Sequence, residues 1–205
     1  MHSWHDVKIS RVTPTDFLAV IEISKGSKNK YELDKETGHL ILDRVLFTST
    51  HYPQNYGFIP RTFADDYDPL DVLVLCSEPI IPMSLVECTA IGVLIMTDNG
   101  LNDEKIIAVA KNDPFYNGYN DISEIPAHIM EEIKHFFMVY KSLEGKDTSV
   151  EVFKDRKEAE AIIQRSLDKY HHDIEPRITA ERKARGYECF ISSYIVQKNH
   201  KTLVT

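Results

Sequence analysis

Four aspartates fall within seven residues, Asp65, Asp66, Asp68 and Asp71, at the end of the stretch Tyr56-Gly-Phe-Ile-Pro-Arg-Thr-Phe-Ala-Asp-Asp-Tyr-Asp-Pro-Leu-Asp71. At neutral pH such carboxylates repel one another, so the arrangement is costly unless water or cations screen it. A solvated acidic turn accounts for the run taken alone. The run nevertheless ends directly against the apolar segment Val72 to Leu75, which holds Asp71 at the edge of a core. That placement favours a cation site, and hard oxygen ligands suit magnesium, manganese or calcium better than zinc.

Several known acidic motifs do not fit. An EF-hand loop starting at Asp66 needs Gly at its sixth position and Glu at its twelfth, where Asp71 and Ser77 stand. An aspartyl-phosphate phosphatase would place Thr four residues after its first Asp, and Leu70 is there. His128 and His135 frame Glu131 and Glu132 without forming HExxH or HxxEH, so a zinc protease has little support. No Walker A pattern occurs.

A second acidic pair, Asp98 and Asp103, brackets a polar turn containing Asn99-Gly100. If the flanking segments form a hairpin, the two carboxylates meet across its mouth, and Lys105 projects to the same face as Asp103. The same alternation puts Lys30 and Glu32 on one strand face. Each pair alone reads as a charged surface, because exposed strand faces often are. Together they offer what a metal-phosphate complex needs: carboxylates for the metal and lysines for the phosphoryl oxygens.

The elements that must position these groups read as strands first and helices after. Short apolar runs at 18–23, 30–33, 40–42, 72–75, 90–95 and 105–110, separated by Gly and Pro punctuation, predict a small closed barrel. Pro126 suits the opening of a first helix, with Ile129, Ile133, Phe136 or Phe137 and Tyr140 at helical spacing. Asp155 and Glu158 form a capping-box pattern before a second, whose apolar face is Ala159, Ile162, Ile163 and Tyr170. A short charged helix is expected over 179–185, and a strand-like patch lies at 189–196.

The length of 205 residues suits a single core. A net charge of -8 is poorly suited to covering a polyanion, which demotes nucleic-acid binding. The opening Met1-His2-Ser3-Trp4-His5-Asp6 carries no basic segment followed by an apolar run, so no secretory signal is expected. No apolar stretch approaches membrane-spanning length. Cys76, Cys88 and Cys189 are odd in number and widely spaced, which suits reduced thiols and a cytoplasmic location.

Six stretches then carry a family resemblance. They are Ile21-Glu22 through Lys30-Tyr-Glu32-Leu-Asp34, Asp43-Arg44, Tyr52-Pro-Gln-Asn-Tyr56-Gly-Phe-Ile-Pro60, Asp66-Tyr-Asp68-Pro-Leu-Asp71-Val72, Met96-Thr-Asp98 through Asp103-Glu-Lys105, and His135 through Tyr140-Lys141. In this order, over about residues 4–170, the sequence resembles the soluble family I inorganic pyrophosphatases, and the D-x-D-P-x-D-V core is the most specific part.

The resemblance implies an α+β, mainly β fold: a five-stranded OB-type closed barrel with additional short strands and two main C-terminal helices packed on it. It implies hydrolysis of inorganic pyrophosphate to two phosphates with several Mg2+ ions, Mn2+ as a substitute and Ca2+ as an inhibitor. By resemblance, Asp66, Asp71 and Asp103 hold the tighter metals, with Asp71 bridging two of them. Asp98 and Glu32 help hold those arriving with substrate, and Glu22 lies at the edge of the set. Asp68 is then the general base for a metal-bridging water. Lys30, Arg44, Lys105 and Lys141, with the phenols of Tyr56 and Tyr140, are the matching phosphate donors. Tyr52 falls in the motif too, with packing in the wall an equal alternative.

A homo-oligomer is expected. Hexamer, trimer and dimer remain open, because Val139 stands where bacterial members often carry a histidine that pairs across subunits, although His135 is retained. The expected organisation is one catalytic domain over residues 1–175, with an arm at 1–16, and an extension over 176–205. Two competing readings are hydrolysis of another phosphoanhydride, such as a nucleotide, and an OB-type module for single-stranded nucleic acid. The latter would need a basic groove with stacking aromatics.

Overall fold

A computed structural model describes residues 2–98, 100–145 and 148–184 of the chain. Cys189 and the strand-like patch at 189–196 lie outside the described residues. The strands are β1 (Asp16–Ile23), β2 (Asn29–Leu33), β3 (Leu40–Val45), β4 (Asn55–Phe58), β5 (Asp71–Leu75), β6 (Leu85–Asp98), β7 (Leu101–Asn102), β8 (Lys105–Ala110) and β9 (Thr148–Asp155). Among the described residues three α-helices follow the first eight strands: α1 (Ala127–Val139), α2 (Arg156–Lys169) and α3 (Glu175–Ala184).

Five strands close a ring in the order β1, β4, β5, β8, β6 and back to β1. The β5–β8 pair is parallel and the other four pairings are antiparallel. This is the OB-type closed barrel expected from the sequence. Its longest member, β6, pairs in turn with β1, β8 and β9, and a register shift between Ala90 and Gly92 lets it bend among them. At Gly57, a β carbon would stand 1.9 Å from the Val20 carbonyl oxygen. Only glycine lets β4 lie that close to β1.

The core follows from strand alternation. β5 sends Val72 and Val74 into an apolar cluster with Ala159, Ile162 and Ile163 of α2. Leu73 and Leu75 face the opposite way, into a cluster with Ile133, Phe136 and Phe137 of α1. Each such side chain contributes about 1.5–3 kcal/mol on burial. β5 is therefore anchored from both faces, and its first residue, Asp71, starts on a rigid base.

The helix signals read from the sequence are realised. α1 follows Pro126 and buries Ile133, Phe136 and Phe137. α2 is capped by Asp155, whose carboxylate accepts from the Glu158 N–H at 3.0 Å. Tyr170 is buried, but it opens a π-helical turn, Tyr170–Ile174, that joins α2 to α3. Pro176 has no N–H to continue the regular ladder, which accounts for a helical irregularity just before it. The charged helix expected over 179–185 therefore starts earlier, at Glu175. Beside the ring, β2 and β3 form a separate hairpin.

Candidate active site

The parallel pair β5–β8 sets the centre of the site, because its register places Asp71 opposite Lys105. Lys105 Nζ donates to Asp71 Oδ2 and to Asp103 Oδ1, both at 2.5 Å. The ammonium also lies 5.6 Å from the Tyr56 ring centre and 5.8 Å from that of Phe137. Burial alone would lower the Lys105 pKa, but Asp103 and then Asp71 outweigh it and hold it well above the ordinary value. Lys105 is thus buried between two carboxylates that favour its charged form.

The third carboxylate comes from the loop between β4 and β5. Asp66 Oδ1 accepts from the Asp68 N–H at 3.1 Å, a turn that fixes both residues. Burial, followed by the charges of Asp71 and Asp103, pushes the Asp66 carboxyl up to about 6. Burial raises Asp71 as well, against the pull of Lys105, and Tyr56 hydrogen-bonds to it. Tyr56 is itself held above the ordinary phenol range by burial and then by Asp71. Crowding of this kind is what an added cation relieves.

Glu22, in β1, joins the cluster to the hairpin. Its Oε1 accepts from the Leu33 N–H at 2.7 Å. Burial and then the Asp71 charge drive its pKa up to about 8. On the hairpin, Lys30 pairs with Glu32 and lies 3.3 Å from Asp43, while Arg44 pairs with Asp43. Arg44 Nε donates to Glu144 Oε1 at 2.9 Å, which ties the hairpin to the turn after α1. At that turn Tyr140 is buried on Phe136, with ring centres 5.2 Å apart, and Lys141 is buried beside the Tyr140 ring. Tyr52 is buried against Tyr56 and Phe136, and Tyr140 and Lys105 act electrostatically on it. It packs in the wall and also borders the charged centre.

Asp66, Asp71, Asp103, Lys105, Tyr56 and Glu22 are thus brought together, with Lys30, Glu32 and Arg44 facing them from the hairpin. Asp68 stands further out: its side chain is 48% exposed and pairs with Lys35. The side chain of Asp98, at the end of β6, lies outside the described residues. Among the described residues no three His, Cys, Asp or Glu side chains already converge as a metal cage. The donor set nonetheless fits a hard divalent cation, being all oxygen and strained by mutual repulsion.

The profile described as inorganic pyrophosphatase matches residues 19–171. The soluble inorganic pyrophosphatase of Zea mays is 52% identical over 169 residues, covering 82% of this chain and 79% of the maize protein. Soluble inorganic pyrophosphatase 2 of Chlamydomonas reinhardtii is 47% identical over 176 residues, 86% of this chain and 92% of the algal protein. The crystal structure of inorganic pyrophosphatase from Thermus thermophilus superposes with a TM-score of 0.79 at 38% identity, covering 82% of this chain and 99% of that one.

The chain belongs to the inorganic pyrophosphatase family. Within this pyrophosphatase-family site, three residues escaped the sequence reading. Lys35, the partner of Asp68, sits at the tip of the hairpin 33 residues away in the chain. Asp43 and Glu144 hold Arg44, and Glu144 is 100 residues from it. Asp43 stands in the Asp43-Arg44 stretch, where an acid next to an arginine was the available signal; Lys35 and Glu144 had none. His128, by contrast, pairs with Glu131 at 3.7 Å and Glu132 at 3.6 Å on the exposed face of α1, as ordinary helix-surface contacts.

Proposed function

We propose that the protein hydrolyses inorganic pyrophosphate to two orthophosphates. The observation that carries this is the buried contact of Lys105 with Asp71 and Asp103 beside Asp66, in a chain of the pyrophosphatase family. Phosphoryl transfer asks for positioning and charge neutralisation more than for covalent chemistry by the protein. The cluster supplies both signs of charge.

Asp66, Asp71 and Asp103, with Asp98 and Glu32, would hold Mg2+, and Glu22 borders them. The ions, when bound, neutralise phosphoryl oxygens and acidify attacking water. Mn2+ is the expected substitute. Ca2+ should occupy the site and support turnover poorly, since its flexible coordination holds oxygens less strictly. Lys30, Arg44, Lys105 and Lys141 receive the phosphate oxygens, assisted by Tyr56 and Tyr140. The guanidinium of Arg44 offers a forked contact, and the lysines act as point charges.

Asp68 is the group we assign as general base. It is tied to Asp66 through its own N–H, yet half-exposed, so its carboxylate can reach water at the rim. It takes one proton from the attacking water as the new P–O bond forms and the bridging P–O bond breaks. The proposal includes a cytoplasmic homo-oligomer whose catalytic domain spans 1–175. Among the described residues no helix is long and apolar enough to cross a membrane.

Phosphate release from pyrophosphate and from a nucleoside triphosphate, measured side by side with Mg2+, tests the substrate. Pyrophosphate should be strongly preferred; preference for the nucleotide would move the assignment to another phosphoanhydride.

A further inference from the structure

Residues 59–70 connect β4 to β5 without regular secondary structure, and they carry Asp66 and Asp68. Carboxylates that repel one another stay together only while the backbone holds them. Two residues here have left-handed backbone without being glycine: Arg61 at φ 61° and Tyr67 at φ 68°. A residue with a β carbon keeps that conformation only where its surroundings over-determine it.

At Arg61 those surroundings come from the two ends of the described chain. Its N–H donates to the Trp4 carbonyl at 3.0 Å, and its Nε donates to the Val7 carbonyl at 2.9 Å. Nη1 donates to Glu175 Oε1 at 2.6 Å, and the guanidinium lies 5.8 Å from the centre of the Tyr170 ring. The next residue continues the pattern. Trp4 Nε1 donates to the Thr62 carbonyl at 2.8 Å, while the Thr62 hydroxyl donates to the Ile59 carbonyl at 2.6 Å and accepts from the Leu70 N–H at 2.8 Å. One side chain thereby joins both ends of the loop. Trp4, Val7 and Glu175 all lie outside the matched span 19–171.

We infer that Arg61 is a positioning residue which, with Trp4 and Glu175, sets the loop presenting Asp66 and Asp68. The N-terminal arm and α3 thereby tune the affinity of the acidic cluster for divalent cations. Its guanidinium is engaged by Val7, Glu175 and Tyr170, so Arg61 acts through the loop that carries Asp66 and Asp68. The inference rests on the cation-binding reading of that cluster given above.

The test is Mn2+ binding to the full chain without substrate, followed by calorimetry or by the signal of free Mn2+. The variants are Arg61→Ala, Arg61→Lys and Glu175→Gln, with Gln164→Ala on the outer face of α2 as control. Arg61→Ala should weaken Mn2+ binding about tenfold, the scale on which residues supporting metal ligands act. Glu175→Gln should weaken it less, and Arg61→Lys should recover part of the loss. With pyrophosphate, the Mg2+ concentration for half-maximal velocity should rise by the same factor, and turnover at saturating Mg2+ should fall as well, because the same loop carries Asp68. Unaltered Mn2+ affinity in both Arg61→Ala and Glu175→Gln would overturn the inference. If Arg61→Ala does not fold, Glu175→Gln decides alone, because it keeps the helix and removes only the charge. Mn2+ binding that weakens as expected in a chain that never releases phosphate would uphold the clamp and refute the assigned reaction. A wild-type chain that binds no Mn2+ would refute both.

Discussion

Lys105 stands between Asp71 and Asp103 in an interior where an uncompensated charge is costly. Lys105→Met should therefore destabilise the chelator-treated protein by about 3–5 kcal/mol, the usual cost of removing one member of a buried pair. Urea unfolding in EDTA measures it, and Mg2+ should return part of the loss because the orphaned carboxylates then have a cation. A loss below 1 kcal/mol would mean that solvent already reaches the pair. The Asp103–Lys105 contact was legible in the sequence, since residues two apart on a strand share a face. Lys35 beside Asp68 and Glu144 beside Arg44 were not. Nothing local in a sequence marks partners brought together by the folding of a hairpin and a helix turn.

Among the elements, β4 is the tightest constraint. Gly57→Ala places a β carbon 1.9 Å from the Val20 carbonyl, where backbone rather than a flexible side chain would have to give way. A cost of about 3 kcal/mol or more is expected, at the upper end of overpacking, and a chemical denaturation curve would reveal it. A second expectation concerns the N-terminal arm. His5 Nδ1 lies 2.8 Å from the Tyr170 hydroxyl, and burial, then the charges of His2 and Arg182, lower its pKa from 6.5 to about 4. The unfolded chain takes up this proton near 6.5 and the folded chain only near 4. The His5 contribution is therefore fully present above pH 6.5 and is lost as pH falls towards 4. Denaturation midpoints of wild type and His5→Asn should converge over that window; a constant difference would contradict it. β4 itself was missed as a strand because Gly57 lies between Pro53 and Pro60, and β9 because its pairing with β6 gives no local signal. The stripes of α1 and α2 and the Asp155 cap of α2 were legible, since periodicity and capping chemistry are local.

On the scale of the whole molecule, the ring of strands brings acidic groups from β1, the β4–β5 loop, β5 and the segment before β8 to one place, and the hairpin adds cations. The barrel was readable from strand spacing and the family resemblance, but the closure of β6 onto β1 was not, because it joins residues about 70 apart. The central claim is that this constellation hydrolyses pyrophosphate with Asp68 as base. The most direct measurement is phosphate release from pyrophosphate with and without Mg2+, for the wild type and for Asp68→Asn. Wild type should be active only with a divalent cation, and Asp68→Asn should lose about 10²–10⁴-fold in turnover while retaining Mn2+ binding. Full activity in Asp68→Asn would remove that residue from its role, and no phosphate release by the wild type would contradict the account as a whole.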